Sequence, residues 1–239
     1  MASKVRLYLE HSLGQGQMVP LSQPQAHYLF GVMRLAEGAM LSVFDGQNGE
    51  WDARVVEANK RRGMLECVEQ TKPQTGPPDL WLMFAPIKKA RTDFIVEKAV
   101  EMGVARILPV LTDFTNAERV RVDRLQAHAV EAAEQCGAVY VPEVAEPQKL
   151  AKVLDRWDSF RQIMMGDEAQ AGRFAPLTGS VGPWAVLIGP EGGFSPAERD
   201  RLAGLDYVQR VALGPRILRA DTAAIAALTL WQTTYGDWR

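Results

Sequence analysis

Cysteine, histidine and long apolar runs are all scarce in this sequence. Only Cys67 and Cys136 occur in 239 residues. That excludes a disulfide framework and any CxxC metal pair, and points to a reducing, cytoplasmic setting. His11, His27 and His128 fall without metal-ligand spacing, so no metal is expected. The opening residues show no apolar signal-peptide core. The uncharged run between Glu10 and Arg34 is broken by Gln15, Gln17, Gln23, Pro24 and Gln25, so no membrane partner is expected either. An excess of one charge is also missing. Lys and Arg count 27 and Asp and Glu 29, for a formal net charge of −2. A nonspecific polycation is thereby excluded, but RNA binding through local clusters is not, because a sum does not locate charges.

What is present is an ordinary globular composition, 47% hydrophobic and 23% charged, enough for one large or two modest domains. Residues 1–72 read mostly as short strands. Asp45-Gly46 and Asn48-Gly49 supply the positive-φ positions of a hairpin loop, and one helix is expected near Pro24–Met33. This half suits a small barrel-like β domain. Residues 73–79 carry Pro73, Pro77, Pro78 and Gly76 and read as a linker, because proline fixes φ and removes donors. From 80 to 239 apolar strands alternate with helices, which argues an α/β domain with a mostly parallel sheet. Ser195-Pro-Ala-Glu198 is a capping box with proline at the first helical position, so a helix starts there. Cys136 falls at core spacing on its helix.

Two loops could carry chemistry. Each follows an apolar strand and leads into a helix, the place where open α/β sheets bind ligands. Leu187-Ile-Gly-Pro-Glu-Gly-Gly-Phe-Ser195 has three glycines that allow close backbone approach, or simply a tight turn. It lacks the lysine of a phosphate loop and holds Glu191 instead, which opposes a polyphosphate but accepts a cationic or zwitterionic ligand. That shifts weight towards S-adenosylmethionine, which has a sulfonium, an ammonium and no phosphate. Leu213-Gly-Pro-Arg-Ile-Leu-Arg-Ala-Asp-Thr-Ala-Ala224 places Arg216 and Arg219 three apart. They are surface charges, or guanidinium groups aimed at an oxyanion. Asp221 precedes an apolar helix and reads first as its N-cap and second as a proton acceptor. Lys88, Lys89 and Arg91 form a short basic cluster that is either solvated surface or a phosphate contact.

Taken together, these residues resemble the bacterial 16S ribosomal RNA (uracil N3) methyltransferase family of the SPOUT superfamily. The likeness rests on the two loops above and on Arg6-Leu-Tyr8, His27-Tyr-Leu-Phe-Gly-Val-Met-Arg-Leu35, Val43-Phe-Asp-Gly46, Lys98-Ala-Val-Glu-Met-Gly-Val104, Glu131-Ala-Ala-Glu-Gln-Cys-Gly137 and Val141-Pro142. It implies a PUA-like RNA-binding β-barrel over 1–72, a linker over 73–79, and a SPOUT domain over 80–239 carrying a trefoil knot. It further implies a cytoplasmic homodimer that uses S-adenosylmethionine on 16S rRNA of the small ribosomal subunit.

The cofactor would be held by Met165 and Gly166; by Leu187, Ile188, Gly189, Pro190 and Glu191; and by Leu213, Gly214, Ile217, Leu218, Thr222 and Ala223. Arg219 would stabilise charge or position the base, with Asp221 as a candidate proton acceptor. Arg6, Arg34, Lys88 and Arg91 would contact phosphates. The sequence departs from the family pattern at Ala138, where arginine is usual; at Asp113-Phe-Thr115, where the pattern is acid-Arg-Ser; and at Asp221, where the acid is usually glutamate. The rival readings are a tRNA methyltransferase of the same superfamily, a non-catalytic ribosome-assembly factor, and a nucleotide-phosphate enzyme.

Overall fold

The structure is a computed structural model that describes residues 5–116, 119–173, 176–179 and 181–239. The N-terminal strands are β1 (Arg6–Tyr8), β2 (Met18–Leu21), β3 (Met40–Phe44), β4 (Glu50–Asn59) and β5 (Arg62–Lys72). They form one sheet in the order β1-β3-β4-β5-β2. β1 runs parallel to β3, and the other pairs are antiparallel. The hairpin loop lies between β3 and β4 as its glycines require, with Gly46 and Gly49 at φ 81° and 76°. Asp45 holds it by accepting the Gln47 and Asn48 amides at 2.9 and 2.7 Å. Between β2 and β3, helix α1 (Gln23–Ala26) continues as a π-helical segment, His27–Val32. Leu29 of that segment joins Leu7, Val19, Leu41, Val43, Val55 and Leu65 in the core of this half.

The C-terminal half alternates β6 (Leu80–Phe84), α2 (Lys89–Glu101), β7 (Arg106–Leu111), α3 (Val122–Cys136), β8 (Glu143–Val144), β9 (Gln148–Lys149), α4 (Leu150–Asp155), β10 (Gln162–Gly166), β11 (Trp184–Ile188), α5 (Pro196–Ala203), β12 (Val208–Val211) and α6 (Ala220–Thr234). The strands make a sheet in the order β12-β10-β11-β6-β7-β8, with β9 also on β7, and every pair is parallel. Its central strands are uninterrupted apolar runs because both faces are covered. Met83, Ile163, Met165, Ala185 and Leu187 pack with Leu150 and Leu154 of α4 and Leu202 of α5. Long α6 packs on β10, β11 and α2. Tyr235, just beyond α6, stacks on Trp184 with ring centroids 5.4 Å apart. Among the described residues, no helix is long and apolar enough to cross a membrane.

The chain divides into two units, residues 1–76 with 133–141, and residues 77–132 with 142–239. The changeover at Gly76 and Pro77 falls inside the proline-rich segment. The return of 133–141 to the N-terminal unit is not visible in composition or spacing. It includes the last turn of α3, where Cys136 is exposed rather than part of a core.

Candidate cofactor pocket and RNA contacts

Three loops at the C-terminal ends of β10, β11 and β12 enclose a cavity of about 390 Å³. The first contributes Gly166, Asp167 and Glu168. The second contributes Ile188, Gly189, Pro190, Glu191, Gly192 and Gly193. From the third come Leu213, Gly214, Arg216, Ile217, Leu218 and Arg219, followed by Ala220 and Ala223 at the start of α6.

The glycines are needed where the loops close on one another. A Cβ on Gly166 would stand 3.2 Å from Ile188 Cδ1 and 3.3 Å from Leu213 Cδ1. One on Gly189 would meet the Phe194 ring at 2.9 Å, and that ring is buried and cannot yield. Backbone contacts join the loops as well, with the Gly172 amide donating to Gly214 O at 3.1 Å.

Ser195 ends the second loop and caps α5. Its Oγ accepts the Glu198 amide at 3.3 Å, and Glu198 returns a carboxylate to the Ser195 amide at 2.9 Å. The Ser195 hydroxyl also donates to Asp113 at 2.5 Å. One residue that the sequence reading missed ties the first two loops together. Arg199 on α5 donates to Phe194 O at 2.9 Å and to Asp167 at 3.2 Å, and pairs with Glu168. Only its position one turn past the capping box hinted at a loop-facing role.

Most of the expected cofactor residues therefore meet at one cavity. Met165 and Leu187 do not line it. Both are wholly buried in the sheet beneath, and support the loops from the core. Thr222 is exposed and donates its amide to Asp221 Oδ1 at 2.8 Å.

Asp221 is not the N-cap of α6. That position belongs to Arg219, and Asp221 sits in the first turn. There it accepts a first-turn amide, which suits the positive end of the helix dipole. Its other oxygen takes Arg91 Nη1 at 2.8 Å. Arg91, expected on a phosphate, is thus engaged by a carboxylate 130 positions away. Arg219 lines the cavity and is exposed.

The other RNA candidates separate by unit. Lys88 is exposed at the N-terminus of α2 in the C-terminal unit. Arg34, in the N-terminal unit, is exposed and left-handed, with φ 57°. Arg6 has a different place from the one its motif suggested. Its guanidinium pairs with Glu50 at 2.6 Å and donates to the carbonyls of Ala133, Glu134 and Ala138 at 2.7, 2.9 and 2.9 Å. It also lies 4.6 Å from the centre of the Phe44 ring. With its donors engaged inside the N-terminal unit, Arg6 is a strut rather than a free phosphate ligand. Burial alone would push the Glu50 pKa up. The Arg6 hydrogen bond and charge, with Lys72 beside them, outweigh it and hold Glu50 below the usual carboxylate range.

A parallel sheet whose glycine loops enclose a cavity at the carboxyl ends of its strands is the ligand-binding arrangement of an open α/β domain. A family model described as an RNA methyltransferase domain matches residues 74–232, and one described as an RNA methyltransferase PUA domain matches residues 21–63. The chain belongs to the RNA methyltransferase family. It is 27% identical to ribosomal RNA small subunit methyltransferase E of Rickettsia conorii, over 93% of each chain. It is 26% identical to the Bacillus subtilis protein of the same name, over 94% of each. A crystal structure of ribosomal RNA small subunit methyltransferase E from Neisseria gonorrhoeae, bound to S-adenosyl methionine, is similar with a TM-score of 0.87. It is 29% identical and covers 98% of this chain and 99% of that one.

Proposed function

We propose that this protein transfers a methyl group from S-adenosylmethionine to the N3 atom of a specific uridine in 16S rRNA of the small ribosomal subunit, working in the cytoplasm as a homodimer. The observation that carries the reading is the glycine-lined cavity itself. Its carboxylate Glu191, beside Asp167 and Glu168 that Arg199 already pairs, and its guanidinium groups, Arg216 and Arg219, suit a ligand with an ammonium, a sulfonium and a carboxylate. Nothing in it resembles a lysine-bearing phosphate loop. The names of the relatives support ribosomal RNA of the small subunit over tRNA as the substrate. The three strand-end loops, with β12, the last strand in the sequence, lying beside β10, support the SPOUT-type knotted arrangement.

S-adenosylmethionine, when bound, supplies an electrophilic methyl carbon. The chain's part is to hold the cofactor in the cavity, present the uracil in line, and deal with the N3 proton. The close packing of the loops at Gly166 and Gly189 gives the cavity a fixed wall against which the cofactor would be held. Arg219 cannot serve as a base because its guanidinium stays protonated. Its reading is to face the carbonyl oxygens on which charge develops as N3 loses its proton. Asp221 accepts that proton in this scheme, and Arg91 acts as the positioning residue that orients its carboxylate. Lys88 and Arg34 are assigned to phosphates. Ile217 is an apolar side chain 75% exposed at the rim of the cavity. It supports a homodimer whose second subunit covers the site.

The test maps uridine methylation on small-subunit rRNA from cells with and without the protein, alongside calorimetry with S-adenosylmethionine. Loss of one N3-methyluridine, with cofactor binding, is expected. Cofactor binding with an unchanged small-subunit pattern and a changed tRNA pattern would move the reading to tRNA. RNA binding without cofactor binding would make the protein an assembly factor. Asp221→Asn with a full methylation rate would remove Asp221 as proton acceptor.

A further inference from the structure

A second cavity in the C-terminal unit takes no part in the cofactor site. It measures about 430 Å³ and lies where Pro86–Lys89 and Thr92 face Asn116, Arg119–Arg121 and Arg124. Five of its lining side chains are cationic: Lys88, Lys89, Arg119, Arg121 and Arg124. In a chain of net charge −2 that concentration is local, and only part of it is compensated. Arg121 pairs with Asp123 at 2.5 Å and Arg124 pairs with Asp93. Lys88, Lys89 and Arg119 have no carboxylate partner among the described residues.

The placement of the two lysines is costly for the fold. Lys88 occupies the N-cap of α2 and makes no side-chain cap, and no acidic residue stands in the first turn. Lysine at that end opposes the helix dipole, where a carboxylate or an anion would be favoured. The turn is nevertheless fixed. Thr92 Oγ1 accepts the Ile87 amide and donates to Ile87 O, both at 3.0 Å, so Lys88 and Lys89 are presented by an anchored backbone. Cations held against a positive helix end around an open cavity would favour an anion on two counts, side-chain charge and backbone dipole.

We infer that this cavity is a phosphate-binding site for the RNA backbone, built from Lys88, Lys89 and Arg119 at the N-terminus of α2, and that it anchors the substrate apart from the cofactor pocket. The assignment rests on the reading of the chain as an RNA-modifying enzyme. It goes beyond that reading by placing Lys88 and Lys89 with Arg119 around one shared cavity. Phosphate contacts position RNA without reading its bases, so this anchor contributes affinity and salt dependence rather than sequence choice.

The test uses the full-length protein and a fluorescent RNA hairpin carrying a small-subunit uridine target, with affinity measured from low to moderate salt. The Lys89→Gln/Arg119→Gln variant is expected to bind more weakly. Its slope of log affinity against log salt should flatten by about 0.7 to 0.9 for each phosphate that is no longer neutralised. The RNA KM should rise while kcat and the affinity for S-adenosylmethionine stay at wild-type values. Lys152→Gln/Arg156→Gln on the exposed end of α4 removes the same charge elsewhere and should leave the slope unchanged. Wild-type affinity and slope in the Lys89/Arg119 variant would overturn the inference, and so would an equal flattening in the α4 control. Failure of the wild-type protein to methylate any RNA, with the hairpin still bound through this cavity, would instead count against the enzymatic reading alone.

Discussion

Replacing Arg6 by alanine separates two physical roles for one residue. As a phosphate ligand, Arg6 would contribute RNA affinity and little stability. As a strut, it satisfies a buried carboxylate and three backbone carbonyls, and its side chain is only 14% exposed. Removing it leaves the Glu50 carboxylate, 7% exposed, without its main partner, since Lys72 reaches it only at 3.3 Å. Breaking a buried ion pair by deleting one member costs about 3–5 kcal/mol. For a chain of this size that corresponds to a fall in Tm of roughly 6 to 20 °C.

Thermal and urea melts across pH supply a second signature. Glu50 is held below its ordinary range in the folded protein, so its contribution is complete above the unfolded carboxylate pKa and is lost as pH falls through the folded value. The gap between wild type and Arg6→Ala should therefore be full at neutral pH and narrow in acid, below about pH 4.5, to the part due to the three carbonyls, which do not titrate. An Arg6→Ala protein with wild-type melting at pH 7, weaker RNA binding and a flatter salt slope would refute the strut and restore the phosphate role.

Gly189→Ala should force a methyl group against the buried Phe194 ring. The overpacking costs about 1–3 kcal/mol, and if borne by the loop it weakens S-adenosylmethionine binding by roughly five- to a hundredfold in calorimetry. Unchanged affinity and unchanged melting would show that the loop does not need a bare backbone there. Ser195→Ala removes the cap of α5 and the hydroxyl bonded to Asp113. It should cost about 1–2 kcal/mol in a denaturant titration, while Pro196→Ala, which touches neither bond, should cost less. Equal losses from the two would discount the capping box.

Local features were legible and distant pairings were not. The apolar runs at Leu80–Phe84 and Trp184–Ile188 announce buried parallel strands, because a strand covered on both faces needs no polar alternation. The capping box marks the start of α5 to the residue, since its chemistry lies within four positions. Strand β2 escaped notice because its exposed face carries Met18 and Pro20 in a segment rich in glutamine and glycine. Strands β8 and β9 and helix α4 are too short to show a period. The cofactor loops were readable as glycine-rich strand ends. Three other pairings were not: Arg199 binding two loops, Arg91 holding Asp221, and Arg6 reaching Ala138. Each couples positions tens to more than a hundred residues apart, and no local pattern encodes the partner. The departure at Ala138 gains a meaning here, because this position serves Arg6 through its carbonyl, which any side chain leaves in place.

The return of residues 133–141 to the N-terminal unit bears on how this protein could be taken apart or recombined. A fragment ending at Gly76 would keep every strand of the first sheet. It would keep Glu50 but lack the three carbonyls that accept from the Arg6 guanidinium, and the Glu134 carboxylate that receives the Tyr8 amide at 2.9 Å. The PUA half is therefore not a cassette. Grafting it onto another catalytic domain, or exchanging it between relatives, requires carrying a nine-residue piece from the middle of the chain along with it. Insertions and deletions in the turn after α3 would then be felt in the first domain, although they lie more than fifty positions beyond its last strand.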